Sequence, residues 1–316
     1  MRSGNPDVIK KVRKEGHAVM EHTLKHIILT FIADRSISSV VDPRLIHPYN
    51  IEYCRDLSYH NRFVFLQHGI ISQDLSREHN HFIYNPIGFV TSTTQERDSI
   101  VNGNYFYMPQ EVWLTGLPRY DYLYHDEKNI ITIMPTWRKY LYPDLHHESE
   151  FYKHYYGLIH NPRLLQFLSS KGYKIQLKLH PLMIEHSNEF LSNDEATVTT
   201  KSYREIYAES KLIITDYSSA IYDFIYLKKP IIYYQFDYDQ FYSGAHAYDH
   251  GYLNYEKNGF GEVEYEESAL VDRIIEYVSN DCHVKDVFLK RIDSFFDYND
   301  KNNCKRVYEK ITDTRE

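Results

Sequence analysis

Four short motifs hold the residues that could do chemistry in this chain, and each follows an apolar segment typical of a β-strand. In chain order they are Gln67-His68-Gly69, Pro135-Thr136-Trp137-Arg138, Lys178-Leu179-His180-Pro181 and Asp216-Tyr217-Ser218-Ser219. An imidazole can take up or release a proton near neutral pH. A guanidinium can hold a phosphate through two parallel bonds, and hydroxyls at the start of a helix suit an anion. The set predicts transfer chemistry on a phosphate-containing substrate.

The two motif histidines have different predicted roles. His68 lies between an apolar segment and Gly69, so we expect its ring to project from a sheet edge and to activate a hydroxyl as general base. His180 precedes a proline, and its ring can donate to a phosphate oxygen and stabilise a departing anion. Because the chain has 18 histidines, a structural role for either ring remains an alternative.

Phosphate-binding groups are predicted at two further strand ends. Thr136 and Arg138 follow one strand pattern, and Arg138 can grip a phosphate. Ser218 and Ser219 open a helical pattern, where hydroxyls and free N–H groups favour an anion, although serines also cap ordinary helices. Asp223, one turn further on, can accept from a ribose hydroxyl or can be a solvated helical residue.

Acidic residues near the end of the chain have weaker functional signals. Asp237 and Asp239 match a D-x-D pattern that can hold Mg²⁺ against a diphosphate, but so short a pattern often arises by chance. We expect no metal to be bound there. A second acidic group is interpreted as a solvated face; its members are Glu262, Glu264, Glu266 and Glu267.

Strand and helix patterns alternate along most of the sequence, which predicts βαβ units, parallel sheets and ligands outside the strands' carboxyl ends. Strands are predicted at 62–67, 88–93, 111–115, 130–134, 173–179, 196–200, 212–215 and 230–236. Helices are predicted at 94–101, 149–169, 218–227, 266–279, 284–295 and 301–312. The polar segment 125–129 separates two such series. We therefore predict an α/β fold of two Rossmann-like domains, residues 1–125 and 126–316, that face each other across a cleft.

Composition excludes several classes of protein. A net charge of −8 argues against nucleic acid as the main partner. With 42% hydrophobic and 25% charged residues the chain is typical of globular proteins, and no apolar run reaches the roughly 18 residues of a membrane span. Three cysteines without metal-ligand spacing and an opening without signal-peptide character predict a cytoplasmic location. Whether the sequence is part of a longer protein is left open.

Taken together, these motifs resemble the CDP-glycerol glycerophosphotransferase family, which includes teichoic acid polymerases and relatives in bacterial capsule synthesis. The resemblance covers residues 60–290 and includes the segments 114–121, 135–138, 179–181, 215–219 and 230–234 beside His68-Gly69. It implies a GT-B fold and transfer of glycerol phosphate from CDP-glycerol to a hydroxyl of a growing teichoic acid-like or capsular polymer, with release of CMP.

The resemblance also assigns site residues. It implies that His68 is the base, that His180, Ser218 and Ser219 bind the diphosphate, and that Gly69 and Arg119 lie on the side of the polyol-phosphate or glycan acceptor. No cofactor is expected to be required, with Mg²⁺ as an option. The family often has Trp-His-Gly-Thr where this chain has 67–70 as Gln-His-Gly-Ile, which puts the acceptor contacts in doubt. The basic segment 10–14 hints at peripheral association with the inner face of the membrane.

Three alternatives keep part of this interpretation. The donor can be CDP-ribitol instead of CDP-glycerol. The same fold can serve a nucleotide-sugar glycosyltransferase or epimerase, whose diphosphate would use the same helix start. The chain can also be a non-catalytic module that docks polymer within a parent multidomain synthase.

Overall fold

Two parallel β-sheets form the framework of the molecule. The computed structural model describes residues 23–40, 62–141, 145–190, 196–245 and 250–313, with four single residues before them. The first sheet has the order β1-β2-β3-β4, and the second has the order β10-β9-β8-β5-β6-β7. The strands are β1 Arg35–Ser38, β2 Arg62–Phe65, β3 Gly88–Thr91, β4 Val112–Leu114, β5 Ile130–Met134, β6 Lys174–Leu177, β7 Ala196–Val198, β8 Leu212–Thr215, β9 Ile231–Tyr234 and β10 Gly261–Glu264.

Helices lie between most of the successive strands of each sheet, as is usual for parallel pairing, and two more follow the last strand. They are α1 Leu24–Ile32, α2 Ser76–His79, α3 His81–Tyr84, α4 Thr94–Asn102, α5 Glu150–Ile159, α6 Pro162–Ser170, α7 Tyr203–Glu209, α8 Tyr222–Tyr226, α9 Tyr238–Gln240, α10 Tyr255–Asn258, α11 Glu267–Ser279, α12 Asp286–Phe295 and α13 Asn303–Asp313. Within the described ranges, each helix falls short of the length and apolar character that crossing a membrane would need.

Alternation along the strands divides their side chains between separate cores, because successive residues point to opposite faces. In β2, Phe63 and Phe65 pack in a core on one face of the first sheet. Val64 between them belongs to a larger core that also contains Ile213 of β8 and Ile231 of β9. A third core covers the other face of the second sheet. The two halves thus share one hydrophobic core.

The prediction of one continuous helix over 149–169 is wrong. The structure has two helices there, α5 and α6, which meet at Asn161 and Pro162. The Asn161 side chain accepts a hydrogen bond from the backbone N–H of Leu164 at 3.1 Å and so caps α6, and Pro162 occupies its first turn. Proline is well tolerated there because a first-turn N–H has no helical partner, but it ends the preceding helix.

The predicted helix over 218–227 is also shorter than expected. A 3₁₀ turn, Ser219–Ile221, leads into the five-residue helix α8. A helix this short has a small dipole, so the dipole adds little to the predicted binding of an anion at this turn. What remains at this turn is the pair of serine hydroxyls and local backbone groups.

Several elements were not predicted from the sequence. Strand β1 and helix α7 had no prediction, and the acidic group around Glu262 and Glu264 proves to be β10, an edge strand. Glu262 accepts a bond from the Tyr277 hydroxyl at 2.7 Å and pairs with Lys285 at 2.6 Å, so it is not simply solvated. Residues 11–13 of the basic segment lie outside the described residues.

Helix α13 returns to the first half of the molecule. Asp121 accepts hydrogen bonds from the backbone N–H groups of Asn303, at 3.0 Å, and Cys304, at 2.7 Å. Gly116 lies under this contact with a φ of +77°, and a Cβ there would collide with the Asn303 side chain. The predicted boundary at residue 125 lies between the sheets, and the domain assignment itself stays a prediction.

Candidate active site

In the described part of the chain, the ten strands are parallel to their neighbours, so within each sheet the carboxyl ends meet at one edge. His68 follows β2, Arg138 follows β5, His180 follows β6, and Ser218 follows β8. In open parallel sheets this is the edge where ligands bind. The fold therefore brings the four motifs to the carboxyl edges of two sheets, as predicted.

Arg119 joins the two halves at this edge. Its Nε donates to Asp223 Oδ1 at 3.1 Å, and its Nη1 donates to the backbone carbonyl of His68. A Cβ added to Gly69 would lie 3.8 Å from Arg119 Nη2 and 3.8 Å from the carbonyl oxygen of Ser219. The His68-Gly69 turn of the first half thus lies against the Ser218-Ser219 turn of the second.

Asp223 is largely buried, and so it is not the solvated helical residue of the one alternative. It is 8% exposed and its Oδ1 is bonded to Arg119, while the contact of this carboxyl with a ribose hydroxyl stays a prediction. Burial raises the pKa of this carboxyl, and the positive charge of Arg119 opposes the rise. The pair fixes the arrangement of the site across the two halves.

His68 remains available for chemistry. Its side chain is exposed. The rings of Phe65 and His79 flank it at centroid distances of 6.3 and 5.7 Å. Loss of hydration among these neighbours lowers the pKa of His68 below 6.5, and the charge of Arg119 lowers it further. The imidazole is therefore neutral at pH 7 and can accept a proton.

His79 is a site residue that sequence reasoning missed. Its ring stacks on Phe65 at 5.8 Å, and burial with the charge of His68 lowers its pKa to about 4. Its Nδ1 is buried and has no hydrogen-bond partner among the described residues. His79 follows no strand and lies in the helical turn α2, so the pattern that singled out the other histidines could not find it.

His180 shows a defined tautomer. Its Nδ1 accepts a bond from the backbone N–H of Leu182 at 3.3 Å, which leaves the proton on Nε2 as a donor. The ring stacks on Trp137 at 5.9 Å, and burial lowers its pKa, so the ring is neutral at pH 7. This geometry fits a hydrogen-bond donor better than a cation.

Thr136 and Asp216 form a buried link between the ends of β5 and β8. Asp216 is fully buried and accepts from the Thr136 backbone N–H at 2.9 Å and from its hydroxyl at 2.6 Å. Its other oxygen accepts from the Tyr155 hydroxyl at 3.2 Å. The predicted role of Thr136 as a donor ligand does not match this geometry, since its groups are already bonded within the protein.

Arg138 is the centre of the same buried cluster. It is 1% exposed, with its Nε 2.7 Å from Asp237 Oδ2 and its Nη2 2.9 Å from Asp216 Oδ2. Although burial alone would lower the pKa of Arg138, the two carboxylates raise it above its ordinary value. In this conformation the guanidinium is engaged by two carboxylates, so a phosphate would have to compete with them, and the predicted role of Arg138 as a phosphate ligand stays a prediction.

The two acidic residues of the D-x-D pattern lie in different environments. Asp237 is buried against Arg138, whereas Asp239 is exposed. In the described part of the chain, no three histidine, cysteine or acidic side chains converge as metal ligands would. Independence from a metal stays a prediction that a chelator can test.

Ser218 and Ser219 keep part of their predicted availability. Ser218 is half-buried and its hydroxyl oxygen accepts from the backbone N–H of Ala220 at 3.3 Å, whereas Ser219 is exposed. Because the Ser218 oxygen is the acceptor in this bond, its hydroxyl can still donate to a ligand. Together with Gly69 and His68, this turn places a neutral base and hydroxyl donors in one neighbourhood.

Two parallel α/β sheets with a site at their facing edges define the GT-B class of transferases. The solved structure of the wall teichoic acid polymerase TagF aligns with 95% of this chain and 79% of its own, at a TM-score of 0.68 and 19% identity. An S. aureus MnaA–UDP structure aligns with 99% of this chain and 87% of its own, at a TM-score of 0.55 and 12% identity. These likenesses confirm the predicted fold.

The family follows from the sequence comparison. The model for CDP-glycerol:poly(glycerophosphate) glycerophosphotransferase matches residues 10–313, and the chain belongs to this family. The minor teichoic acid biosynthesis protein GgaB of Bacillus subtilis (strain 168) is 36% identical over 318 residues, 95% of this chain and 35% of GgaB. A teichoic acid ribitol-phosphate primase of Bacillus spizizenii is 34% identical over 133 residues, 38% of this chain and 33% of the primase. The chain thus spans about a third of the length of these relatives.

Proposed function

We propose that this chain transfers glycerol phosphate from CDP-glycerol to a hydroxyl of a polyol-phosphate or glycan acceptor. The observation that carries the proposal is the contact of the His68-Gly69 turn with the Ser218-Ser219 turn through Arg119. This contact supports the proposal because the turn that carries the His68 imidazole and the turn that carries the two serine hydroxyls meet across the two halves. Family membership supports a CDP-activated donor, and a His→Asn variant of TagF has been solved after soaking with CDPG.

The proposed step is a displacement at phosphorus. The acceptor oxygen forms a bond to the phosphorus that carries glycerol, and the bond from that phosphorus to the bridging oxygen of the diphosphate breaks. His68 takes the proton of the acceptor hydroxyl, and CMP leaves with the electron pair of the broken bond. Such transfers depend mainly on positioning and on stabilisation of charge.

The second half would stabilise the departing phosphate. The Ser218 and Ser219 hydroxyls and the Nε2–H of His180 are neutral donors at the carboxyl edge of the second sheet. Neutral donors aimed at developing negative charge can lower a barrier without a metal. Arg119, Asp223 and Arg138 would hold these groups in place.

CDP-ribitol is the second candidate donor. The observation that favours it is the 34% identity with the ribitol-phosphate primase.

We propose a cytoplasmic location at the inner face of the membrane. Support for the compartment comes from Cys282 and Cys304, which are free thiols and would persist in a reducing environment.

A CMP-release assay with CDP-glycerol, CDP-ribitol and UDP-sugars in parallel tests this proposal. We expect release from a CDP-alditol in the presence of acceptor, and a rise in melting temperature with the same donor, because ligand binding stabilises the folded state. Release from a UDP-sugar with both CDP-alditols inert would overturn the donor class. Binding of a CDP-alditol without turnover, with several acceptors, would instead favour the non-catalytic module.

A further inference from the structure

Glu96 is a fully buried carboxyl at the start of α4, and its bonds reach the loop that carries His68. Its Oε1 accepts from the backbone N–H of Ile71 at 2.8 Å, and its Oε2 accepts from the backbone N–H of Ser92 at 2.8 Å. One side chain thereby ties the loop after β2 to the end of β3.

The loop that Glu96 holds is conformationally costly. Gln67, directly before His68, has a φ of +66°, a region that residues other than glycine rarely occupy. Such a backbone persists only when surrounding contacts impose it. The described contacts that impose it are few: Arg119 bonds to the His68 carbonyl, and Glu96 bonds to Ile71 and, at 3.4 Å, to Gln67 Nε2.

We propose that Glu96 is a positioning residue for His68, because its carboxyl bonds the main chain of Ile71 after the catalytic turn and the side-chain amide of Gln67 directly before it. This inference rests on the proposed function, in which His68 is the base. Glu96 does not touch the substrate in this assignment. It acts by holding the imidazole at the distance and angle that proton transfer from the acceptor requires.

The carboxyl can do this without a charged partner. Burial raises the pKa of Glu96 to about 8, so it is protonated at neutral pH. Its proton has an acceptor at hand, since Gln67 Oε1 is buried and has no hydrogen-bond partner among the described residues. A half-turn of the Gln67 amide would place that oxygen at the 3.4 Å contact, where it could accept the Glu96 proton, and would move Nε2 to the side where Oε1 now lies. In either orientation the protonated carboxyl and the amide form a clamp without net charge.

The test compares Glu96→Gln and Glu96→Ala in the whole chain. Glutamine keeps one of the two acceptor oxygens, so we expect kcat for CMP release to fall about tenfold. Alanine keeps neither, and we expect a loss of about 10²-fold, the scale of a misplacement near 1 Å. The dissociation constant of the CDP-alditol should stay within twofold in both variants, because the donor contacts lie on the other half.

Glu111 provides the matched control. Its carboxylate also accepts from a backbone N–H, that of Met108 at 2.8 Å, in the same half of the molecule but away from His68. Glu111→Gln and Glu111→Ala should leave kcat near wild type. If Glu96→Ala keeps its kcat, or loses it only together with donor binding, Glu96 does not position the base.

Hydrogen exchange gives a reading that does not depend on turnover. In Glu96→Ala, the amides of residues 67–71 should exchange at least tenfold faster, and those of residues 216–221 should not change. Unchanged exchange at 67–71 would overturn the proposal even if activity fell. If the wild type releases CMP from no donor, the proposed function fails, while faster exchange at 67–71 would still establish Glu96 as the clamp of this loop.

Discussion

The two carboxyl edges that form the site differ in how their motif residues are used. On the first sheet, His68 is exposed and its side chain is free to act. The loop that carries it is held by the buried carboxyl of Glu96 through the backbone N–H of Ile71. On the second sheet, Thr136, Asp216 and Arg138 are buried and bonded to one another. Motif residues thus divide into exposed ones, which a ligand can reach, and buried ones, which hold the strand ends together. The type of residue alone does not predict to which group it belongs.

The largest effect should come from the two motif histidines, His68 and His180. His68→Ala is expected to lower kcat by about 10²–10⁴-fold, the usual cost of losing a general base, and to leave donor affinity intact. His180→Ala should weaken both donor binding and kcat, because its partner is present before and during the reaction. CMP release and calorimetry on each variant measure the two quantities.

His125→Ala is the control for both histidine substitutions, since His125 is exposed and pairs only with Glu127 in the described structure. It should behave as wild type. If His68→Ala instead loses donor binding and keeps its rate at saturation, the assignment of roles to the two edges is reversed.

Arg138→Met tests how much the buried cluster at the edge of the second sheet contributes to the stability of the fold. Removing one partner of a buried ion pair leaves Asp216 and Asp237 without their counter-charge, so we expect a loss of about 3–5 kcal/mol in the free energy of unfolding. Urea unfolding measures it. Arg163→Met is the control, because its pair with Asp272 is exposed and should contribute at most about 1 kcal/mol. A stable Arg138→Met protein with weakened donor binding would support Arg138 as a phosphate ligand.

The double substitution Ser218→Ala and Ser219→Ala should have a moderate effect confined to binding. Two hydroxyl donors at about 1 kcal/mol each predict a loss of donor affinity of ten- to thirtyfold. The free energy of unfolding should change little, and Ser294→Ala, at an exposed position, serves as control. Donor affinity equal to wild type in calorimetry would move the anion site elsewhere.

The pH profile should show a smaller change. The active form of His68 is neutral and its pKa lies below 6.5, so kcat/KM should fall only as the pH drops below that value. Arg119→Gln removes a positive charge that lowers this pKa, so the acid limb should move to higher pH. A limb that stays in place, or moves down, would show that His68 is not the titrating base.

The smallest expected effect is that of metal removal. Asp237 is engaged with Arg138, so chelation by EDTA and the substitution Asp239→Asn should both leave turnover near wild type. Loss of turnover in EDTA that Mg²⁺ restores would require a metal at this edge and would change the comparison between the two sheets.

The sequence predicted the fold well because strand ends and glycine or proline punctuation are local signals. Strands β5 and β8 have the predicted bounds. It predicted the roles of site residues less well, because those roles depend on partners far along the chain. Arg138 meets Asp237 across 99 residues, and Arg119 meets Asp223 across 104. No local pattern shows such pairs, and His79 became visible only when its ring was placed beside His68.

The return of α13 to the first half also constrains the order of folding. Asp121 finds its partners Asn303 and Cys304 only 182 and 183 residues later. During synthesis at the ribosome, the surface of the first half that α13 covers therefore stays exposed until the residues of α13, 182 positions after Asp121, have been made. Contacts so distant in sequence form slowly, and partly covered intermediates are prone to aggregate. Expression of the first half alone should consequently yield an insoluble product that co-expression of the remaining chain can rescue.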